Sequence, residues 1–184
     1  MRLFIAVDIS ERSRKLIDRK IDILKEEFDS ELKWVDKDNW HLTIKFLGEC
    51  SQEKKQMIIA NLKSLELKSE IEYIQFDKIN AFPNLEEARV IYLETAKGSE
   101  FLKELNQIIE REMADLGFEK DGRRFIPHLT LARSRNNGGI NIKSNSLQND
   151  FINIFSYTDT LSLYESRLSS DGPEYIQLFS KKLK

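Results

Sequence analysis

Residues 41–48 have the sequence HLTIKFLG, and residues 128–134 have the sequence HLTLARS. Each segment begins with one of the two histidines of the 184-residue chain, and in each the histidine is followed by Leu, Thr and an aliphatic residue. With Leu at about one position in ten and Thr at about one in twenty, two such coincidences have a probability of roughly one in 40,000. The repeat therefore indicates a duplicated site rather than chance.

Both segments are rich in aliphatic and β-branched residues, which is typical of β-strands. Side chains alternate between the two faces of a strand, so His41 and Thr43 are predicted to share one face. His128 and Thr130 share a face of the second strand for the same reason. The opposite face of the first strand is predicted to be buried and to carry Leu42, Ile44 and Phe46. If the strands are neighbours, two imidazoles and two hydroxyls line one cleft.

Two imidazoles and two hydroxyls suit the hydrolysis of a phosphate diester. One neutral imidazole takes a proton from water, one imidazolium gives a proton to the leaving oxygen, and the hydroxyls hold the non-bridging oxygens. A single His-Leu-Thr is more often structural. The second copy favours catalysis, because a buried structural position would prefer an apolar residue. This reasoning assigns the pair but not the individual roles, because interacting imidazoles titrate as a unit.

The order of predicted elements indicates an α+β protein. Strands are predicted at about 2–8, 31–35, 41–48, 70–82, 88–95, 128–134, 157–168 and 174–182, and helices at about 10–28, 51–66, 99–116 and 146–152. We expect a bilobal, duplicated fold: two antiparallel-rich sheets backed by helices, with a central cleft that carries both histidine motifs. No linker-like composition separates the lobes, so residues 1–184 are predicted to form one domain.

The composition is that of a soluble protein, with 40% hydrophobic and 33% charged residues. No apolar stretch approaches the roughly 18 to 20 residues of a membrane helix. The single cysteine, Cys50, excludes an internal disulfide framework, and the short apolar run before Asp8 does not fit a signal peptide. We therefore expect a cytoplasmic protein. Two histidines and one cysteine do not supply a transition-metal site, and no Gly-rich loop has a phosphate-binding signature, so neither a metal nor another cofactor is expected.

The chain resembles the two-histidine (2H) phosphoesterase superfamily, and within it the RNA 2′,3′-cyclic phosphodiesterases, also called 2′-5′ RNA ligase-like proteins. Paired His-x-Thr-x motifs define the superfamily. The narrower likeness rests on RLF at 2–4, WHLTIKFLGE at 40–49, FIPHLTLAR at 125–133, LYES at 163–166 and GPEY at 172–175. It spans nearly the whole chain.

The resemblance implies hydrolysis of RNA 2′,3′-cyclic phosphate ends to 2′-phosphomonoesters without a metal, and the reverse 2′-5′ ligation to a 5′-hydroxyl end. It implies that His41 is the proton donor to O3′ and His128 the proton acceptor that activates water. Thr43 and Thr130 complete the expected catalytic set. The expected partner is an RNA with a 2′,3′-cyclic phosphate end, of which a tRNA fragment is one example, and no membrane. The sequence does not indicate the oligomeric state.

Phe4 and Arg133 are the predicted substrate-binding residues, which would hold the terminal base or ribose. Arginine pairs with phosphate or stacks on a base, yet strict alternation places Arg133 on the face opposite His128, unless the strand bulges. Phe4 would stack on the base, although a core position is an equally good interpretation. Lys45 is either close to the phosphate or simply exposed.

The charge pattern indicates recognition of an RNA end rather than of a long tract. The net charge is −2, and no basic stripe dominates the sequence. A local group of cations brackets the second motif, namely Lys120, Arg123, Arg124, Arg133 and Arg135.

Two alternatives stay open from the sequence. The same site could act on a small cyclic phosphate or a 2′-5′ oligonucleotide. A protein of another class, which binds RNA ends without turnover, would not need the intact histidine and threonine pairs.

Overall fold

The two histidine motifs form neighbouring strands at the centre of one antiparallel sheet in the computed structural model, which describes residues 1–67, 72–145, 152–169 and 172–183. The strands are β1 (Arg2–Asp8), β2 (Leu32–Trp34), β3 (His41–Glu49), β4 (Glu72–Phe82), β5 (Val90–Thr95), β6 (His128–Ser134), β7 (Ile154–Thr158), β8 (Thr160–Ser169) and β9 (Gly172–Lys182). The helices are α1 (Glu11–Glu27), α2 (Gln52–Ser64) and α3 (Ser99–Asp115), with a 3-10 turn at Lys37–Asn39. The helix predicted near 146–152 lies almost entirely outside the described residues.

The strand order is mirrored about the centre of the sheet. It runs β7-β4-β5-β6-β3-β1-β8-β9, with β2 paired to β6. We call β3, β1, β8 and β9 the β3 half, and β6, β5, β4 and β7 the β6 half. Within the described residues the halves share the single ladder pair Leu42–Leu129. The predicted α+β class is confirmed, and the two predicted sheets are joined at this pair. An internal duplication would produce such an order, and it stays a prediction.

Helices α1 and α3 connect the two halves of the sheet. Both present apolar residues to the core that also contains Leu42 and Leu129. Helix α1 follows a strand of the β3 half, but its Ser13 hydroxyl donates to the Phe155 carbonyl of β7 at 3.0 Å. Helix α3 follows a strand of the β6 half, and its Asn106 amide donates to the Ile44 carbonyl of β3 at 2.8 Å. Each helix therefore braces the opposite half, which holds the motif strands side by side.

Each motif strand has a β-bulge at the same place, three residues after its histidine. The register between β1 and β3 shifts at Ile44. The register between β5 and β6 shifts at Leu131. A bulge adds one residue to one strand, so the residues after it face the other way than simple alternation predicts. The matching bulges give both motif strands the same unusual shape.

The bulges change which side chains reach the cleft. After Ile44, Lys45 is buried, whereas Phe46 is 69% exposed and lines the cleft. After Leu131, Ala132 is buried and Arg133 is exposed at the cleft. The predicted buried position of Phe46 is therefore wrong, because the extra residue reverses the alternation. The same reversal places Arg133 on the face of its histidine.

Candidate active site

A cleft of about 1380 Å³ lies along both motif strands. Its lining includes every residue that the sequence predicted for the site, namely His41, Thr43, His128, Thr130, Phe4 and Arg133. The residues chosen from the sequence therefore all line one cleft, although they are far apart in the chain.

The antiparallel register brings the two motifs face to face. Leu42 lies opposite Leu129, so each histidine is directed towards the threonine of the other motif. The imidazoles are also close enough to interact electrostatically, since a charge on His128 lowers the pKa of His41. A phosphate between the strands can therefore meet both rings and both hydroxyls.

Backbone carbonyls orient both imidazoles in the same way. The Nδ1 of His41 lies 2.7 Å from the Asn39 carbonyl oxygen, and the Nδ1 of His128 lies 2.7 Å from the Ile126 carbonyl oxygen. A carbonyl only accepts, so each Nδ1 carries a hydrogen and each Nε2 is left for proton exchange. The Nε2 of His41 lies 3.0 Å from the Thr43 hydroxyl oxygen. In the first motif the reactive nitrogen is thus next to its own threonine.

An aromatic ring meets each imidazole at its edge. The Tyr175 ring lies 5.1 Å from His41 at an interplanar angle of 84°. The Phe82 ring lies 5.1 Å from His128 at the same angle. Sequence reasoning missed both rings, because they come from strands far along the chain. The GPEY segment, which carries Tyr175, was the available signal for one of them.

A family model described as LigT-like phosphoesterase matches residues 7–92. A protein of Methanocaldococcus jannaschii named RNA 2′,3′-cyclic phosphodiesterase is 33% identical over 95% of this chain and 96% of its own length. This chain belongs to the LigT-like phosphoesterase family. A Methanothermobacter thermautotrophicus protein of the same name is 29% identical over 97% of this chain and 96% of its own length.

Solved structures share the fold of this LigT-like phosphoesterase. Thermus thermophilus TT0787 superimposes with a TM-score of 0.80 at 23% identity, covering 100% of this chain and 98% of that one. Escherichia coli LigT in complex with 3′-AMP gives a TM-score of 0.78 at 23% identity, covering 99% and 97%. The resemblance drawn from the sequence is therefore confirmed.

Burial lowers the pKa of both imidazoles of this phosphoesterase. The pKa of His41 falls to about 4, mainly through desolvation, against the opposing effects of the Asn39 carbonyl and the Asp8 carboxylate. The pKa of His128 is also lowered by desolvation, against the Ile126 carbonyl, and the Arg133 charge lowers it further. The neutral form of both rings is therefore favoured near pH 7.

Asp8 is an additional residue of the site that sequence reasoning missed. It lies opposite His41 in the β1–β3 ladder. Its two carboxylate oxygens accept hydrogen bonds from the Tyr164 hydroxyl at 2.6 Å and the Ser162 hydroxyl at 2.8 Å. This anchoring keeps a negative charge near His41, which favours the imidazolium form of that ring.

Phe4 forms a wall behind His41. Its side chain is 2% exposed, its ring lies 4.8 Å from the imidazole, and it stacks on Tyr164 at 5.3 Å. Tyr175 meets it at its edge, at 5.1 Å. These surroundings agree with the core interpretation of Phe4, and its contact with a base stays a prediction.

Lys45 is neither exposed nor free to hold a phosphate. It is 5% exposed, and its Nζ donates to both carboxylate oxygens of Glu110 at 2.8 Å and to the Glu119 carbonyl at 2.9 Å. All three ammonium donors thus bind α3 or the segment after it. Lys45 fixes β3 to α3 because the bulge at Ile44 turns it into the core.

The cations around the second motif differ in their engagement. Arg123 is paired with Asp121 at 3.1 Å, and the Nε of Arg135 donates to the Leu32 carbonyl at 3.1 Å. Arg123 and Arg124 both line the cleft. Across the described ranges, no group of three or more His, Cys, Asp or Glu is placed to hold a metal. Nor is any helix in those ranges long and apolar enough to cross a bilayer.

Proposed function

We propose that this phosphoesterase hydrolyses RNA 2′,3′-cyclic phosphate ends to 2′-phosphomonoesters, with the two histidines as general acid and general base. The observation that carries the proposal is the matched pair of imidazoles, each with Nδ1 fixed by a carbonyl at 2.7 Å, which leaves Nε2 as the nitrogen for proton exchange. The relatives named RNA 2′,3′-cyclic phosphodiesterase support the choice of substrate.

The proposed reaction is an in-line displacement at phosphorus. The Nε2 of His128 accepts a proton from water while the water oxygen bonds to phosphorus. The bond between phosphorus and O3′ breaks, and His41 donates a proton to O3′. The products are a 2′-phosphomonoester and a free 3′-hydroxyl. The hydroxyls of Thr43 and Thr130 donate to the non-bridging oxygens, where negative charge accumulates.

The neighbouring charges support this division of roles. The Asp8 carboxylate near His41 favours its protonated form more strongly than the Arg14 charge opposes it, and the Arg133 guanidinium near His128 favours its neutral form. Burial lowers the pKa of His41 to about 4. An anionic phosphate beside the ring would raise that pKa, so the substrate itself would complete the acid.

The cleft is large enough for more than one nucleotide. Typical small-molecule sites have volumes of about 300 to 1,000 Å³, whereas this cleft has about 1380 Å³. Phe46 and Arg133 face it from opposite halves, each five residues after a histidine. We propose that they contact the terminal nucleotide, with Phe46 offering the open aromatic face and Phe4 supporting it from behind His41.

The same site would carry out ligation if a 5′-hydroxyl took the place of water. His128 would then deprotonate that hydroxyl, and its oxygen would form the new bond to phosphorus as the bond to O3′ breaks. The product is a 2′-5′ phosphodiester, and no nucleotide cofactor is consumed.

The test is to incubate the protein, in excess chelator, with an oligoribonucleotide ending in a 2′,3′-cyclic phosphate, with a cyclic mononucleotide and with a 2′-5′ dinucleotide. We expect the first substrate to react with the highest kcat/KM and to give a 2′-phosphate end, detected by chromatography against synthetic standards. A 3′-phosphate product, or a preference for either small substrate, would contradict the proposal. Tight binding without turnover would favour the RNA-end-binding alternative.

A further inference from the structure

Two cations without counterions face each other beside the proposed site. Lys33 of β2 lies directly opposite Arg133 of β6 in their antiparallel ladder. Residues opposite each other in such a ladder point to the same face of the sheet. Both side chains are exposed and both line the cleft. Within the described residues, neither forms a salt bridge or a side-chain hydrogen bond.

This arrangement is unfavourable without a ligand, because like charges directly opposite each other destabilise a strand pair. Some other exposed cations of the described residues are paired with a carboxylate. Examples of such pairs are Arg123–Asp121 at 3.1 Å, Lys143–Glu86 at 2.6 Å and Arg167–Glu165 at 2.9 Å. The Lys33–Arg133 pair thus offers its uncompensated charge to an anion in the cleft.

The pair lies further along the cleft than the reacting phosphate. Strand β2 pairs with β6 from Ala132 onwards, past the Leu129 position where β3 pairs. Because of the bulge at Leu131, Thr130 and Arg133 lie opposite Tyr92 and Val90, which are two residues apart on β5, or about 7 Å at roughly 3.3 Å per residue. An anion between Lys33 and Arg133 is therefore a second anion, distinct from the one held by the threonines.

We propose that Lys33 and Arg133 together bind the phosphodiester that precedes the terminal nucleotide of the RNA. This inference rests on the proposed function, which places the 3′ end of an RNA in the cleft. Arg133 has five N–H donors and can hold this phosphate while it contacts the terminal nucleotide. Lys33 adds a compact charge from the neighbouring strand. The site therefore distinguishes an oligonucleotide end from a mononucleotide.

The experiment measures binding of a 2′-phosphate-ended trinucleotide and of a 2′-phosphomononucleotide, which lacks the preceding phosphodiester. The proteins are the wild type, Lys33→Ala, Lys33→Arg and the control Lys63→Ala, which removes an exposed lysine of α2 outside the cleft. We expect Lys33→Ala to weaken trinucleotide binding about three- to tenfold and to reduce the slope of log K against log salt by about 0.7. Mononucleotide binding should change much less, and Lys33→Arg should restore the slope.

Thermal unfolding is a second measurement, which distinguishes anion binding by Lys33 from a structural role. Because Lys33→Ala removes a like charge opposite Arg133, its Tm should equal or exceed that of the wild type while its trinucleotide affinity falls. Equal losses for both ligands, or a salt slope like that of Lys63→Ala, would overturn the inference and leave the proposed function intact. Failure of the wild type to bind either nucleotide would overturn both.

Discussion

The β3 half and the β6 half of the sheet orient their histidines in the same way but place different charges beside them. In both halves a carbonyl lies 2.7 Å from Nδ1 of the histidine, and an aromatic ring meets the imidazole at 5.1 Å. The charged neighbours differ: the pKa of His41 is raised by Asp8 against a smaller opposing effect of Arg14, whereas the pKa of His128 is lowered by Arg133. The repeated features orient two equivalent groups, and the features that are not repeated are the basis for the different roles proposed for them.

The bulges extend this comparison beyond the histidines. The residue after each bulge turns into the core, where Lys45 binds Glu110 but Ala132 makes no polar contact through its methyl group. The next residue turns into the cleft, as Phe46 in one half and Arg133 in the other. One half therefore presents an apolar ring to the cleft and the other presents a cation.

The largest expected effect comes from removing either histidine. His41→Ala and His128→Ala should each lower kcat by about 10²–10⁴-fold, the range typical for loss of a general acid or base. The double variant should be little worse than the poorer single variant, because the two groups act as a unit. Single-turnover kinetics, with circular dichroism to check folding, would measure this. Near-normal turnover in one well-folded variant would show that the two histidines are not both required.

A smaller effect is expected in the pH dependence of kcat/KM. The rate should fall at low pH as the base becomes protonated and fall at high pH as the acid loses its proton, which gives a bell-shaped profile. Both imidazoles have a pKa below 6.5, so the optimum should lie below pH 6.5. Asp8→Asn removes a charge that raises the pKa of His41 and should move the optimum down. Arg133→Gln removes a charge that lowers the pKa of His128 and should move it up.

The control for these shifts is Glu100→Gln, which removes an exposed charge of α3 and should leave the optimum in place. Shifts of Asp8→Asn and Arg133→Gln in the same direction would show that the charged neighbours do not distinguish the histidines.

Local sequence was sufficient to place the histidine and threonine of each motif at the cleft and insufficient for the residues beyond them. Alternation placed His41 and Thr43 correctly because both precede the bulge. It failed at Lys45 and Phe46, since a bulge depends on the register of the neighbouring strand, which a single segment does not encode. The sequence contained one sign that these two positions are equivalent, because Phe46 and Arg133 each follow their histidine by five residues.

Other parts of the site depend on contacts that are distant in sequence. Asp8 reaches His41 through the β1–β3 ladder, and Tyr175 and Phe82 arrive on β9 and β4. The crossing of α1 and α3 to opposite halves likewise has no local pattern. Such contacts follow from the order and register of the strands in the sheet. The order of predicted elements indicated the α+β class but not that strand order or register.

The most direct test of the division of roles uses an RNA whose cyclic phosphate has sulfur in place of O3′. A thiolate leaves without needing a proton, so the acid becomes dispensable while the base does not. If His41 is the acid and His128 the base, His41→Ala should cleave this substrate at nearly the wild-type rate, and His128→Ala should remain slow. Rescue of His128→Ala instead, or rescue of neither variant, would contradict the account.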